Sequence, residues 1–428
     1  MNIPINKTTK NLDLCYVLSI MNNQPLTIFR VFFPFAAGYF VSYLYRVVNA
    51  VIAPDLIADI GVGPSALGLL TATYFISFAS FQLPLGVLLD RFGPRKVEAV
   101  LLVFAAIGAF VFARAESLTG LITGRALIGF GVSACLMAAF KAYTLWFSRE
   151  KWPLVNGFQM AAGGLGALAA TSPVEATLQY TNWRGVFTGL ALLTLLTAVA
   201  VFLIVPEKKN EGTGESLQNQ LRGIRDIFTS RKFWQTAPVA TMSQAAFLAI
   251  QGLWAGPWLS HVAGFERAEV ARLLFWVAGA MIAGFITLGA ITEQLSKRGV
   301  SVATIAVTGM TLFMVVQLLL IVGPIGWSVP IWLAFGFLGT SSIIAYSALS
   351  QSFPVHLSGR VTTAVNLLVF VAAFCGQWAI GVIIDFFSNG ESVLSPTGFK
   401  AGFGLMLILE FAGVLYYIFA SRKLIDDA

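Results

Sequence analysis

Arg46 sits inside a long apolar run, where Tyr39, Ser42, Tyr43, Arg46 and Asn49 recur at three- and four-residue spacing. On a helix this spacing gathers them into one polar and aromatic stripe. A charge at the centre of a membrane helix costs at least about 2.5 kcal/mol on insertion scales, so it is a functional candidate by default. A guanidinium also offers a planar fork of donors that matches a carboxylate or a phosphate. The stripe points to an aqueous cavity in which Tyr39, Tyr43, Arg46 and Asn49 contact a small anionic substrate. The alternative is Arg46 paired with a buried acid or with backbone carbonyls.

Uncharged polar residues in the second half of the chain could line the facing wall. Gln244, Phe247, Gln251 and Trp254 share a broad helical face, as do Asn366, Phe370 and Gln377, and Ser342 and Tyr346 stand four apart. Gln251, Trp254, Asn366 and Tyr346 are the candidates for substrate contact, although each also reads as a hydrogen-bonding residue between helices. Arg125 lies about five residues into a later apolar run. There it serves either a hydrogen-bond network or the transport step. Lys141, sixteen residues on, stands about 24 Å and about 160° away, so the two cannot hold one small molecule. The acids near apolar runs are Asp55, Glu98, Glu175, Asp385 and Glu410; Glu175, at the outer end of the fifth run, and Glu410, midway along the twelfth, do not sit beside Arg46. A proton carrier is therefore not named by the sequence.

The elements that must position these residues are membrane helices. Of 428 residues, 57% are hydrophobic and 11% charged, against about 25% charged in soluble proteins. Mean hydropathy is +0.80. The net charge of +7 reads as positive-inside bias, since no basic stripe interleaved with aromatics marks a nucleic-acid surface. Cys15, Cys135 and Cys375 are far apart and the histidines are two, His261 and His356, so no metal site is expected. No phosphate-binding GxxxxGK[ST] loop is present, which disfavours an ATP-driven pump. No nucleophile–base pair suggests an enzyme, and no cofactor is implied. The first apolar run lacks a small-residue cleavage site behind it and reads as a retained helix.

About 20 apolar residues span a bilayer. Twelve such runs lie near 29–53, 65–89, 97–115, 118–141, 153–173, 185–205, 233–258, 270–291, 301–323, 329–350, 361–385 and 399–420. The expected architecture is all-α, with twelve transmembrane helices in two six-helix bundles, 29–206 and 233–420. A polar linker, 207–232, joins them, with tails at 1–28 and 421–428. With both termini inside, 19 of the 27 lysines and arginines fall on the cytoplasmic side, which fixes the orientation by the positive-inside rule. Gly157, Gly163, Gly164 and Gly166 suit close helix approach in the fifth run.

A loop signature follows the second run: Gly86-Val-Leu-Leu-Asp90-Arg91-Phe-Gly93-Pro-Arg95-Lys96. Asp90 at a helix end beside Arg91 and Arg95 can latch one packing of two moving halves; the alternative is a topology anchor made by the bases. Gly289 and Glu293 repeat the glycine-to-acid spacing after the eighth run. The full loop resembles GxLaDrxGrkxxl of the major facilitator superfamily. Arg125-Ala-Leu-Ile-Gly129-Phe-Gly131 is similar to the RxxxGxG of that family, and Asn182-Trp183-Arg184 with Val205-Pro206-Glu207 is a third likeness. Tyr43-Leu-Tyr-Arg46 through Pro54 resembles the first helix of the organophosphate and organic-anion branches, where an arginine eight residues before a proline contacts the anion. The chain departs from the glycerol-3-phosphate branch by lacking an arginine in the seventh helix, and from drug antiporters by lacking a Gly-Pro pair in the fifth.

The resemblance implies alternating access coupled to protons or a counter-substrate. The gating residues it implies are Gly86, Asp90, Arg91, Arg95 and Arg125. The expected function is proton-coupled uptake of a small anionic metabolite by a monomer in a bacterial inner membrane. Proton-antiport export and a non-transporting receptor or assembly subunit are the alternatives.

Overall fold

A computed structural model describes residues 28–147, 152–208, 217–353, 355–388 and 394–426, and every element in them is helical. After a π-helical turn, Ile28–Phe32, come α1 (Phe33–Val47) and α2 (Asn49–Ile60), bent by 47° at Val48. Then follow α3 (Pro64–Ser80), α4 (Gln82–Phe92), α5 (Pro94–Arg114), α6 (Leu118–Gly131), α7 (Cys135–Trp146), α8 (Trp152–Ala169), α9 (Ser172–Leu178) and α10 (Trp183–Ile204). A connecting helix α11 (Leu217–Thr229) leads to α12 (Arg231–Ala249), a π-helical turn Ile250–Trp254, α13 (Ala255–His261), α14 (Arg267–Lys297) and α15 (Val302–Val322). Last come α16 (Ser328–Leu338), α17 (Ser342–Gln351), α18 (Val355–Phe387) and α19 (Pro396–Asp426). Joined across their breaks, these elements make six rods before α11 and six after it.

Eight rods are long and apolar enough to cross a membrane alone, and the bent α1–α2 pair makes nine. The second, fifth and seventh rods fall short for local reasons. α3 stops at 17 residues before Phe81, while α8 and α12 are long enough but too polar, through Asn156 and Gln159 in the one and Arg231, Lys232, Gln235 and Gln244 in the other. The helix starts carry recognisable caps: Ser117, Asn182 and Ser301 accept a hydrogen bond from the amide three residues on, and Glu266 with Glu269 forms a reciprocal capping box. Outer faces are apolar and exposed, as Leu192, Leu196 and Leu203 on α10 and Leu312 and Leu319 on α15 illustrate. Lipid is the solvent that suits such a surface.

Within the first six rods α5 packs on α6, α7 and α10, and α1 packs on α8. Within the last six, α12 packs on α18 and α19, and α14 on α16. The two groups meet chiefly along α3 against α18 and α8 against α14. Of the fifth-rod glycines, Gly163, Gly164 and Gly166 serve close approach, while Gly157 meets nothing. A Cβ on Gly166 would lie 2.1 Å from the Phe40 carbonyl oxygen, which a backbone cannot vacate cheaply. Gly166→Ala is expected to cost about 1–3 kcal/mol of stability by overpacking, read as a lowered melting temperature in detergent.

Candidate functional site

The bend at Val48 directs α1 along the centre of the molecule and α2 toward the end remote from α11, here the distal end. On α1, Tyr39, Ser42, Tyr43 and Arg46 turn together into a cavity of about 340 Å³, within the range of small-ligand sites. Phe78 and Gln82 from α3 and α4, Met137 and Phe140 from α7, and Met160 from α8 complete the near wall. Gln244, Tyr346, Asn366 and Phe370 from the second six rods make the far wall. Five predicted substrate residues, Tyr39, Tyr43, Arg46, Tyr346 and Asn366, thus share one cavity.

Arg46 is buried, and its guanidinium carbon lies 4.4 Å from the ring centre of Tyr43, 5.2 Å from that of Phe370 and 5.8 Å from that of Phe78. Aromatic faces attract a cation within about 6 Å, more strongly when it is desolvated. They cannot neutralise its charge. Its Nε has no hydrogen-bond partner, and among the described residues no carboxylate forms an ion pair with it. Tyr39 and Tyr43 meet edge-on at 5.2 Å. Asn366 Nδ2 reaches Gln82 Oε1 at 3.5 Å across the two halves, and Ser342 donates to Gln244. Gln82 itself went unnoticed in the sequence because a single glutamine in an apolar run carries no periodic signal.

Three predicted substrate residues do not line this cavity. Asn49 lies past the bend and donates to Thr71 at 3.1 Å. Gln251 and Trp254 lie in the π-turn, whose wider ring rotates them away from the face that carries Gln244. Gln251 Nε2 contacts Met281 Sδ at 3.8 Å, and Trp254 Nε1 donates to the Gln377 carbonyl at 3.0 Å. All three are buried in a layer between the cavity and the distal end.

The distal end is held by a charge clamp. Arg267 Nη1 and Nη2 donate to both Asp55 oxygens at 2.8 and 2.6 Å, while its Nε reaches Glu175 at 2.8 and 2.9 Å. The arginine belongs to the second six rods and both acids to the first, so the clamp spans the halves. Arg267 lies on the side opposite the lysine- and arginine-rich linker, against the positive-inside bias. Gly256 lies against the Ala50 carbonyl, which Pro54 leaves without its helical donor. On the α11 side of Arg46, by contrast, Leu136, Met137 and Phe140 are half-buried and Ser347 is exposed. The cavity is therefore closed distally and accessible from the end that carries α11.

The predicted gating residues divide. Arg95 lies 3.9 Å from Glu207 and over the Phe202 ring, and Lys96 also pairs with Glu207. The hydrogen bond from Lys96 holds the Glu207 carboxyl below the usual carboxylate range. These contacts stay within the first six rods. Arg91 stacks on Phe92, and Gly86 has open space where a Cβ would stand. The Asp90 side chain lies outside the described residues. Arg125 is buried, donates to the Tyr45 carbonyl at 2.9 Å and covers the Tyr74 ring, tying α6 to α1 and α3. Glu410 is buried at the α15–α19 contact and accepts from Gln317. A larger hollow of about 510 Å³ opens between α14 and α17, but its Glu293 and Lys297 neutralise each other. Among the described residues no cluster of metal-binding side chains occurs.

Twelve helical rods, up to nine of them long and apolar enough to cross a membrane among the described residues, enclose a cavity shut at one end, the architecture of a membrane transporter. The chain belongs to the Major Facilitator Superfamily, whose family model matches residues 35–377. It is 23% identical to a probable sulfoacetate transporter of Cupriavidus necator, over 61% of this chain and 64% of that one. It is 21% identical to a probable L-galactonate transporter of Escherichia coli, over 90% of this chain and 88% of that one. In fold it is similar to a bacterial homolog of the human lysosomal transporter Spinster in an inward-facing, unoccupied conformation. The TM-score there is 0.75 at 15% identity, over 94% of this chain and 98% of that one.

Proposed function

We propose that the protein is a carrier for small organic anions, taking them up with protons by alternating access between bundles 29–206 and 233–420, which the 207–232 linker joins. The observation that carries this reading is Arg46: a buried guanidinium, caged by aromatic rings, facing a cavity and lacking a carboxylate partner. Desolvated charge without a counter-ion is costly, and an anion entering the cavity would supply one. Two relatives named for anionic substrates support the class. The lysine and arginine bias supports a cytoplasmic linker and termini, so the conformation described is inward-facing, in a bacterial inner membrane. The carrier acts as a monomer.

The test is thermal stabilisation of the purified protein by a panel of carboxylates, sulfonates, phosphates, neutral sugars and organic cations. A ligand that binds the folded state raises apparent stability with its occupancy, by about 2.7 kcal/mol at a hundredfold excess over Kd. Stabilisation by a carboxylate or sulfonate, and none by sugars or cations, is the expected result. Stabilisation by cations alone would overturn the reading.

A further inference from the structure

Glu98 is an acid for which the cavity has no use. It sits one turn into α5, fully buried, and neither carboxylate oxygen has a hydrogen-bond partner. It lies directly against Gly38: a Cβ there would stand 2.1 Å from Glu98 Oε1 and 3.8 Å from Cys135 Sγ. Gly38 is eight residues, about 12 Å of helix, from Arg46 on the same α1. Cys135 on α7 stands beside the same glycine, and the next two residues, Leu136 and Met137, belong to the cavity wall.

The groups able to compensate Glu98 are few. The elements packed on α5 are α4, α6, α7 and α10. Cys135 and Tyr143 on α7 face the carboxyl. Tyr143 gives its hydroxyl to Gln159 at 2.7 Å, Arg125 on α6 is bound to the Tyr45 carbonyl, and Arg184 on α10 is paired with Asp59. Lys141 on α7 and Arg91 on α4 lie toward the α11 end. On α1 the near residue is Gly38 itself, with Tyr39, Tyr43, Tyr45 and Arg46 further along. A bare carboxylate in this pocket is costly, so the closed pocket favours the protonated carboxyl over the ionised one. Toward the α11 end, Arg95 and Lys96 share the single carboxylate of Glu207, so one net positive charge remains there to favour the ionised form once water reaches the acid.

We propose that Glu98 is a proton-binding site of the transport cycle, resting on the anion-uptake reading above. It carries the proton while the anion sits at Arg46 and yields it to water at the α11 end. The carboxyl O–H bond breaks, the proton passes to water and a carboxylate remains. Anion and proton are coupled through the field of Arg46: an anion on the guanidinium cancels the positive potential that would otherwise favour ionised Glu98.

The experiment compares reconstituted wild type, Glu98→Gln and, as a second buried acid, Glu410→Gln. It measures the infrared carbonyl band of protonated carboxyl groups against pH, anion counterflow, and accumulation driven by an imposed pH gradient. Glu98→Gln is expected to abolish a pH-dependent part of the band and to lower gradient-driven accumulation by about tenfold or more. Counterflow should stay within about threefold, because exchange needs no net proton transfer. Glu410→Gln should leave both transport modes intact. Undiminished accumulation in Glu98→Gln, or a titrating band that survives it, overturns the proposal. Where Glu98→Gln does not fold, Gly38→Ala, whose methyl presses on the carboxyl, is expected to shift the band's titration midpoint; an unmoved midpoint overturns the proposal. If the wild type transports no anion, the uptake reading fails, while the infrared titration still decides whether Glu98 exchanges a proton.

Discussion

Arg46→Ala is expected to eliminate anion-dependent stabilisation and to cut anion transport about a hundredfold or more. A guanidinium holding an anion through two charge-assisted hydrogen bonds contributes about 1.5–3 kcal/mol from each, and every 1.4 kcal/mol is tenfold in affinity. The unliganded variant should fold, because no described acid pairs with Arg46 and none is orphaned by its loss. What is lost in the empty protein is contact with the Tyr43, Phe370 and Phe78 rings, about 0.5–2 kcal/mol for each, offset by no longer burying an unpaired charge. Arg46→Lys keeps the charge and loses the fork, so an intermediate loss of about tenfold is expected. Binding of the same anion with equal affinity to Arg46→Ala would remove the central role given to this residue.

The second large effect concerns the distal clamp. Arg267→Ala is expected to shift the carrier toward conformations open at the distal end. Both Asp55 and Glu175 then lose their shared cation and face each other uncompensated. Arg267 is about two-fifths exposed, so solvent screening limits the clamp to about 1–2 kcal/mol despite its geometry. That still corresponds to about a five- to thirtyfold change in the ratio of conformations. A cysteine at Ala53, buried in the distal layer, reports this shift through its labelling rate with a membrane-impermeant maleimide in a background lacking native cysteines. Labelling should rise about fivefold or more in Arg267→Ala and fall back when Asp55→Asn and Glu175→Gln are added, since two neutral amides no longer repel. Unchanged labelling in Arg267→Ala would show that packing alone holds the distal end.

The sequence disclosed the helices because lipid demands long apolar runs, and it disclosed Arg46 because a charge in such a run stands out. The aromatic stripe Tyr39–Tyr43–Arg46 was legible for the same reason: the period of α1 holds unbroken up to Val48. Legibility failed where the backbone departs from a regular helix. Asn49 continues the stripe in sequence but falls beyond the bend, and Gln251 and Trp254 follow the face of Gln244 only if no residue is added to the turn. The clamp was hidden differently. Asp55, Glu175 and Arg267 were each visible at distal helix ends, yet nothing in a single sequence says that residues 212 apart will meet. Glu98 was visible as an acid near a helix start, a common and uninformative place. Its isolation emerges only once Gly38 is known to cover it.

The π-turn at Ile250–Trp254, closed by the Ala255 amide on the Ile250 carbonyl, has an evolutionary reading. One added residue in a helix rotates everything beyond it by about 100°, and a π-turn is the trace such an insertion leaves. Before it, Gln244 and Leu248 belong to the cavity; after it, Gly256 belongs to the distal seal. A relative without this residue can keep the cavity wall position for position and still present a different face to its seal. Correspondences drawn to a chain without the added residue hold up to Ile250 and slip by one place after it, so the register of the cavity wall and that of the distal seal are set separately on this one rod.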